Sequence, residues 1–373
     1  MALSRIDTTN MIEDVPQSKL DNNINFRNLI INGSMDLAQR GTSLTGETSG
    51  GYYTTDRFRY SKTSTAPTLN HSQSTDVPTG QGFFYSRKLE VTTVDAPASN
   101  EWSLLEQRIE GQNLQYLKKG TSSAESLTAS FWVKATKTGT YIVRLNDTDN
   151  TRQISKSYTI NSSNTWEKKT ITFAGDTSGT LDNDNAESLS IEFVLQAGTD
   201  YTSGTLATSW ESTTNANSYV GQVDTFDTLN NTFFLTGVQL EAGSVASDFE
   251  FLPVDVNLQR CQRYYQIIAD RNETGERMAI TCGSAINSAN VYAGIQFITL
   301  MRASATAIST SVSAGYRFLG DTQPTFDSIS AAPITNRGAR LTNGDSATVT
   351  AGKAYVFELE LANSTLRFEA ELW

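Results

Sequence analysis

The chain has 373 residues, of which 18% are charged and 38% hydrophobic, and its formal net charge at pH 7 is -11. Nucleic-acid binding depends on clustered Lys and Arg, so this charge argues against a nucleic-acid partner and equally against an anionic membrane surface. The polar remainder is rich in Ser, Thr, Asn and Gly, which favours strands joined by turns and predicts an all-β protein.

No apolar run is long enough to span a membrane, and the N-terminus lacks the apolar core of a signal peptide. We therefore expect synthesis and assembly in the cytosol. Residues 1–25 are polar with sparse apolar anchors, which favours an arm that attaches to something larger, with a disordered tail as the alternative. The anchors are Ile6, Met11, Ile12, Val15 and Leu20.

Residues 26–252 carry strand patterns separated by long polar connections. Residues 126–134 alternate, and the two faces are Leu127, Ala129, Phe131 and Val133 against Thr128, Ser130, Trp132 and Lys134. Residues 141–145, 189–195 and 234–240 continue the series. Because no helical periods separate these strands, this domain is predicted to be an antiparallel jelly-roll sandwich.

Residues 252–268 carry the one clear helix pattern in the chain. Pro253 and Asp255 are good start signals, and apolar residues then recur with helical spacing. The stripe consists of Val254, Leu258, Cys261, Tyr265 and Ile268. It packs either against its own domain or against two further copies of the chain at a three-fold axis, and the sequence leaves both arrangements open.

Residues 253–373 are predicted to form this connecting helix and a smaller C-terminal β domain, because residues 355–361 and 366–372 alternate as two strands. Cys261 and Cys282 do not make a disulfide framework in a chain of this size. Since free cysteine usually behaves as a small hydrophobic residue, we expect two buried thiols.

No catalytic site is expected. The single histidine, His71, falls in a stretch predicted to be a polar loop, with no neighbouring Cys or second His for a triad or a zinc site. The carboxylate pairs Glu187 and Glu192, and Glu358 and Glu360, are expected to be solvated strand faces, although a glycosidase would need only one pair. We predict no enzyme activity and no cofactor.

Two oxygen-rich loops are candidates for Ca²⁺, which takes carboxylate and carbonyl ligands. Their carboxylates are Asp147 and Asp149 in the first loop and Asp182 and Asp184 in the second. Neither loop has the full EF-hand spacing, so ordinary turns are favoured and no metal is predicted.

Aromatic rings can stack on the face of a sugar ring while nearby amide and acidic groups bond its hydroxyls. Trp132 falls on the polar face of its strand, so it is a candidate for an exposed platform, with packing under a loop or a neighbouring subunit as the alternative. The full set of candidates is Trp102, Trp132, Trp166, Trp210, Tyr292, Tyr316 and Trp373.

Several motifs together resemble those of fibre proteins of tailed bacteriophages, especially marine ones. Residues 28–35 followed by 39–42 and 56–58 resemble the opening of such adhesin-like fibres. Residues 130–134 and 238–243 look similar to strands of the carbohydrate-binding-module jelly roll that these fibres contain.

The same resemblance extends to both ends of the chain. Residues 260–265 are similar to the junction before the fibres' C-terminal domain, and residues 301–303 and 369–372 are similar to pieces of that domain. Residues 11–20 resemble trimeric stem segments.

This likeness implies a homotrimer that is assembled in the host cytoplasm and located in the virion. Its N-terminal arm would attach to a tail or adaptor protein. Its jelly roll and C-terminal β domain would bind host-surface glycan without enzyme activity. A polysaccharide depolymerase and a purely structural capsid or tail fibre are the alternatives.

Overall fold

The structure, a computed structural model, describes residues 26–63, 67–271, 277–309, 313–345 and 347–372. The chain divides into two compact units, Met1–Leu252 and Pro253–Trp373. The described residues are almost entirely strands and loops, so the predicted all-β class and antiparallel sandwich are confirmed. None of the described helices has the length and hydropathy to cross a membrane. The predicted arm, with Ile6, Met11, Ile12, Val15 and Leu20, lies outside the described residues.

The described part of the first unit is built from short and medium strands with one short α-helix and three 3-10 helices, Gly111–Asn113, Gln115–Leu117 and Asn215–Asn217. Its described elements are β1 (Ser43–Glu47), β2 (Gly51–Tyr52), β3 (Arg59–Lys62), β4 (Thr68–Ser74), β5 (Ser86–Thr93), β6 (Trp102–Glu110), β7 (Leu127–Ala135), β8 (Gly139–Asp147), β9 (Arg152–Ile160), β10 (Glu167–Phe173), β11 (Glu187–Ala197), α1 (Thr199–Thr202), β12 (Glu211–Ser212) and β13 (Thr232–Ala242).

These strands form two antiparallel sheets. The front sheet has the order β1-β4-β5-β13-β7-β10, and the back sheet has the order β12-β9-β8-β11-β6-β3-β2. Alternation in β7 is as predicted, since Phe131 is fully buried and its ring centroid lies 5.0 Å from that of Phe193 on β11. The core therefore lies between the sheets, and Ser130 and Trp132 belong to the outer face of the front sheet.

The outer face of the back sheet is covered by the chain itself. Leu104, Ile142 and Val194 are buried on this face beneath the segment 198–222, whose Tyr219 is also buried. Trp102 packs, partly buried, against the same cluster. This face is therefore part of a second small core, and Trp102 is not an open platform for a ligand.

The helix is shorter than predicted. Helix α2 covers Val254–Gln262, whereas residues 265–270 form strand β14 (Tyr265–Asp270), which pairs with the strand containing Glu369. Tyr265 and Ile268 are therefore strand residues, and their assignment to the helix stripe is wrong. A run of aromatic and β-branched residues favours a strand once a partner strand is available.

The buried face of α2 also differs from the predicted stripe. Its buried residues are Asn257, Cys261 and Gln262, while Val254 is 68% exposed and Leu258 is half-buried. The helix thus buries two amide side chains, and Gln262 Oε1 accepts a hydrogen bond from Thr299 Oγ1 at 3.4 Å within the same unit. Val254 and Leu258 therefore do not form a buried centre within a single chain, and the three-fold arrangement stays a prediction.

The second unit contains β14 and a further set of strands. These are β15 (Met278–Ala285), β16 (Val291–Gln296), β17 (Thr306–Ser309), β18 (Tyr316–Leu319), β19 (Thr325–Phe326), β20 (Ile329–Ile334), β21 (Gly338–Asn343), β22 (Ala354–Leu359) and β23 (Thr365–Glu369).

The strands of the second unit form two antiparallel sheets, of order β14-β23-β17 and β19-β18-β22-β15-β16-β21-β20. Their shared core includes Phe357 and Phe368, both fully buried. Cys282 on β15 is an exposed free thiol, so only Cys261 fits the expectation of two buried cysteines. When one face of a sheet is open to solvent, alternate side chains of even a central strand are exposed. The apolar residues that surround Cys282 in the sequence do not show on which face it lies.

Candidate functional site

The outer face of the front sheet carries a tryptophan next to its edge strand. Trp132 on β7 is half-buried, and its cross-strand partners are Lys168 on β10 and Thr236 on β13. Ser130 lies two residues before Trp132 on the same face. The β sandwich thus holds an aromatic ring, an ammonium group and a hydroxyl side by side on one rigid surface.

Three phenylalanines form a wall beside Trp132. The ring centroid of Phe83 lies 5.0 Å from that of Phe249 and 5.2 Å from that of Phe251. This wall stands where β13 bulges between Thr236 and Gln239. Gly237 in the bulge has φ +60, and a Cβ atom added there would lie 2.6 Å from Phe83 Cζ. Only glycine lets the Phe83 ring approach the sheet so closely.

Between Trp132 and this wall lies a cleft of about 360 Å³. It is lined by Gly80, Gln81, Phe83, Ser130, Trp132, Lys168, Gly237, Asp248, Phe249 and Phe251. Lys168 and Asp248 are exposed, and neither forms an ion pair with another described residue. The cleft therefore combines apolar ring faces with one donor cation and one acceptor carboxylate, and both groups are available to a ligand.

A ridge of charged and aromatic side chains lies beyond Trp132 along the sheet. Trp166 Nε1 donates a hydrogen bond to Asp76 Oδ1 at 3.0 Å, and Asp76 also forms an ion pair with Lys134. Burial raises the pKa of the Asp76 carboxyl, but hydrogen bonds from Lys134 and Trp166 outweigh it and hold that pKa below its usual range. The Lys134 ammonium lies 5.4 Å from the centre of the Trp166 ring, so this ring is engaged within the protein.

The other predicted aromatic platforms are dispersed. Trp210 donates from Nε1 to the Ala174 carbonyl at 2.7 Å and lies under the Lys119 ammonium. Tyr292 is half-buried, with the Arg340 guanidinium 4.3 Å from its ring centre.

The Tyr316 prediction is wrong. Its ring is fully buried in the core of the second unit, and its hydroxyl donates to the Thr365 carbonyl at 2.7 Å. Trp373 lies outside the described residues. Of the six predicted platforms that the structure describes, only Trp132 lines the cleft.

Sequence reasoning missed most of the cleft. Phe83, Phe249 and Phe251 come from two segments that are far apart in the chain, and neither segment has strand or helix periodicity. A weak signal exists in Gly80 and Gly82, which mark a loop able to approach the sheet. Lys168 shares the outer face with Trp132 by strand register, which only the pairing of β7 with β10 reveals.

His71 lies on β4 and is fully buried, so its predicted position in a polar loop is wrong. Its Nδ1 is 2.7 Å from Nη2 of the fully buried Arg87. Burial and the neighbouring Arg87 charge lower the pKa of His71 to about 2, and burial lowers the pKa of Arg87 to about 9. Alternation places His71 on the core face of β4, which pairs with β1 and β5, although its neighbours in the sequence are polar.

The predicted solvated carboxylates are largely buried. Glu192 receives two hydrogen bonds from Arg144, at 2.6 and 3.0 Å, and Glu358 pairs with Arg317 at 2.5 Å. Burial raises the pKa of Glu187 to about 7. The solvated assignment is therefore wrong for Glu192 and Glu358, because paired arginines allow these charges to be buried.

The oxygen-rich loops have ordinary turn hydrogen bonds. The Asp147 carboxylate pairs with the Lys119 ammonium, and Asp149 Oδ2 accepts a hydrogen bond from the Asp182 backbone at 2.8 Å. Asp184 Oδ1 accepts from the Ala186 backbone at 2.9 Å. Within the described ranges, no cluster of three or more His, Cys, Asp or Glu side chains could hold a metal ion.

No family model and no curated protein sequence matches the chain. Among solved structures, the enzymatically active domain of tailspike protein 4 of bacteriophage CBA120 is similar at 14% identity with a TM-score of 0.33, covering 58% of this chain and 21% of that structure. The chain thus spans about a fifth of the length of the tailspike structure.

Carbohydrate-binding modules show the same level of similarity. A family 11 module from Clostridium thermocellum, in complex with a β-1,3-1,4-mixed-linked tetrasaccharide, is 12% identical with a TM-score of 0.27, over 55% of this chain and 98% of the module. The module TmCBM61, in complex with β-1,4-galactotriose, is 13% identical with a TM-score of 0.28, over 58% of this chain and 99% of the module. At TM-scores this low, structural similarity establishes no shared function.

Proposed function

We propose that this protein binds carbohydrate through the cleft on the outer face of the front sheet. The observation that carries the proposal is the position of Trp132, a large aromatic ring that lines a cleft together with an available cation and an available carboxylate. Large aromatic side chains are normally buried, and a half-open ring beside polar groups fits a ligand with one apolar face and a polar rim. A pyranose ring has this shape.

The chemistry of binding follows from the side chains of the cleft. The Trp132 ring stacks on the C–H face of the sugar, and Phe251, which is 51% exposed, closes over the opposite side. Asp248 accepts hydrogen bonds from sugar hydroxyls, and Lys168 and Ser130 donate to sugar oxygens. Trp132 and Lys168 lie on neighbouring strands of the front sheet, and the half-buried Trp132 ring loses little side-chain entropy when the sugar binds.

The biological role that we propose is attachment of a phage virion to host-surface glycan. The support is the set of fibre-like motifs along the chain and the sparse apolar anchors of residues 1–25. In this proposal the protein is a homotrimer located in the virion, and the N-terminal arm binds a tail or adaptor protein. The domains are the arm, a carbohydrate-binding sandwich from 26 to 252, and the helix with the C-terminal β domain from 253 to 373.

The proposed function does not include hydrolysis. Glycosidases need two carboxyl groups across the scissile bond, and Asp248 is the single acidic residue among the described residues that line the cleft. Incubation with host polysaccharide should therefore release no new reducing ends. Their appearance would favour the depolymerase alternative.

Replacing Trp132 with alanine tests the binding site directly. The ligand is an oligosaccharide that the wild-type protein binds on a glycan array. We expect its Kd to rise roughly 30-fold or more, because truncating an aromatic anchor typically reduces the binding free energy by about 2 kcal/mol or more. Trp132→Phe should recover part of the affinity, since it retains a ring face. Phe84→Ala is the matched control, because Phe84 is 75% exposed and does not line the cleft. Equal affinity of Trp132→Ala and wild type would refute this site.

A further inference from the structure

We infer that the cleft is closed at both ends of its floor and takes the end of a glycan chain rather than its interior. This inference rests on the proposed carbohydrate binding and adds the part of the glycan that is recognised. It depends on where the covering segments cross the strands of the front sheet.

The first closure lies on the N-terminal side of Trp132 in β7. The segment after β13 crosses the outer face here, because Thr128 Oγ1 donates to the Gly243 carbonyl at 2.8 Å and Thr172 Oγ1 donates to the Ser244 carbonyl at 3.2 Å. Thr128 and Thr172 are direct cross-strand partners on β7 and β10. The backbone thus passes over both strands and blocks the floor of the cleft.

The covering segment is firmly fixed. Ser247 donates its backbone N–H to Glu241 Oε1 at 2.9 Å, and Glu250 donates its backbone N–H to Gln239 Oε1 at 2.8 Å. Both acceptors lie on β13, and both are buried. A ligand therefore has to displace several buried hydrogen bonds before it can extend under this segment.

The second closure lies on the other side of Trp132. Lys134, two residues further along β7, is joined to Asp76 and Trp166 in the ridge described above. Asp76 belongs to the loop before β5, and Ser86 Oγ anchors this loop by donating to the Asp76 carbonyl at 2.6 Å. The ridge therefore crosses the floor from the β5 side to β10.

The third side is the phenylalanine wall. Thr236 Oγ1 donates to the Tyr85 carbonyl at 2.7 Å, which holds the loop with Phe83 over β13. The fourth side is β10, which is the last strand in the order of the front sheet. Lys168 lies there and is exposed, so the entrance to the cleft is at this edge.

The floor between the two closures is short. Thr128 and Lys134 are six residues apart on β7, which corresponds to about 20 Å of strand, and the covering groups occupy part of it at both ends. The free floor holds Ser130 and Trp132 and accommodates about two sugar rings, consistent with a volume of about 360 Å³. A glycan interior would have to leave along the floor at two places, whereas the covering segment, the ridge and the phenylalanine wall leave the β10 edge for it.

The stoichiometry of binding distinguishes the two modes. The full-length protein is first screened on an array of oligosaccharides, and the bound repeat is then titrated as short free oligosaccharides and as a long soluble polymer. End recognition predicts one occupied cleft per glycan chain at every length. Partial acid hydrolysis that halves the polymer length should double the binding capacity per gram.

Other results are equally informative. Several clefts bound per polymer chain, with capacity per gram unchanged by hydrolysis, would overturn end recognition and leave carbohydrate binding intact. Binding to no glycan on the array would overturn the proposed function and this inference together. Trp132→Ala is the control for adsorption outside the cleft. The binding that remains in this variant is subtracted from the stoichiometry and from the capacity per gram.

Discussion

The carboxyl group of Glu187 lies at the start of β11, where its Oε2 is 3.1 Å from Arg108 Nη1. Burial raises its pKa to about 7, Arg108 opposes this shift, and the nearby Glu106 adds to it. A carboxyl group whose pKa is higher in the folded state stabilises the fold most below its unfolded pKa of about 4.5. That contribution is lost as the pH rises through about 7.

This linkage predicts a pH-dependent difference between wild type and Glu187→Gln. The variant keeps a neutral side chain at all pH values, so its stability relative to wild type should rise by about 2 kcal/mol between pH 4.5 and pH 8. Urea unfolding at several pH values measures this difference. Glu125→Gln is the control, because the Glu125 side chain is 40% exposed and pairs with the exposed Lys118. A difference that does not change with pH would show that Glu187 titrates normally.

At the scale of the element, the backbone conformation of the bulge in β13 determines how closely the Phe83 ring of the cleft can pack on the sheet. Gly237→Ala adds a methyl group 2.6 Å from Phe83 Cζ and places alanine at φ +60. We expect a loss of stability of more than about 1 kcal/mol, together with weaker glycan binding, because the Phe83 ring has to move away from the sheet.

Gly46→Ala separates these two causes. Gly46 has φ +70, and an added Cβ there meets no atom within 4 Å. This variant carries the cost of the left-handed backbone without the steric overlap, so it should be less destabilised and should bind glycan as wild type does. Equal effects of the two substitutions on melting temperature and binding would contradict the role given to Phe83.

The elements also show what a sequence can predict. The alternation in β7 and β11 correctly places the apolar side chains toward the core, where Phe131 and Phe193 are fully buried. It does not predict solvent exposure of the opposite face, because Ser130 and Glu192 are buried as well. The helix was predicted too long, since helical spacing continues through Tyr265 although pairing with β23 makes that segment a strand. Local patterns cannot contain a partner strand that lies far along the chain.

The cleft shows the same division between local and long-range information. The position of Trp132 on the outer face could be predicted, because it alternates with the apolar residues of the same strand. The wall of Phe83 and Phe249 could not be predicted, since it forms where two loops meet over the bulge in β13. Sites formed by loops over a sheet are therefore found only when the sheet register is known.

At the scale of the whole molecule, the two faces of the first unit differ. The back sheet is covered by residues 198–222, while the front sheet keeps an open cleft beside its edge strand. The net charge of -11 makes long-range attraction to an acidic glycan unfavourable, so recognition has to come from contacts within the cleft. If the proposed cleft binds glycan, an oligomer with one such cleft per chain would strengthen attachment by avidity.

The proposed homotrimer predicts a mass in solution of about three times 40.8 kDa by light scattering. Val254 is 68% exposed at the start of α2, so it is available to neighbouring copies if the contact between the three chains lies along this helix. Val254→Asp should then give the mass of one chain with an unchanged circular dichroism spectrum, because an acid in the first turn of a helix is tolerated, whereas three charges at an axis repel. Val245→Asp, at a valine that is 60% exposed in the first unit, should remain trimeric. A trimeric Val254→Asp would place this contact elsewhere, and a wild-type mass of one chain would refute the trimer.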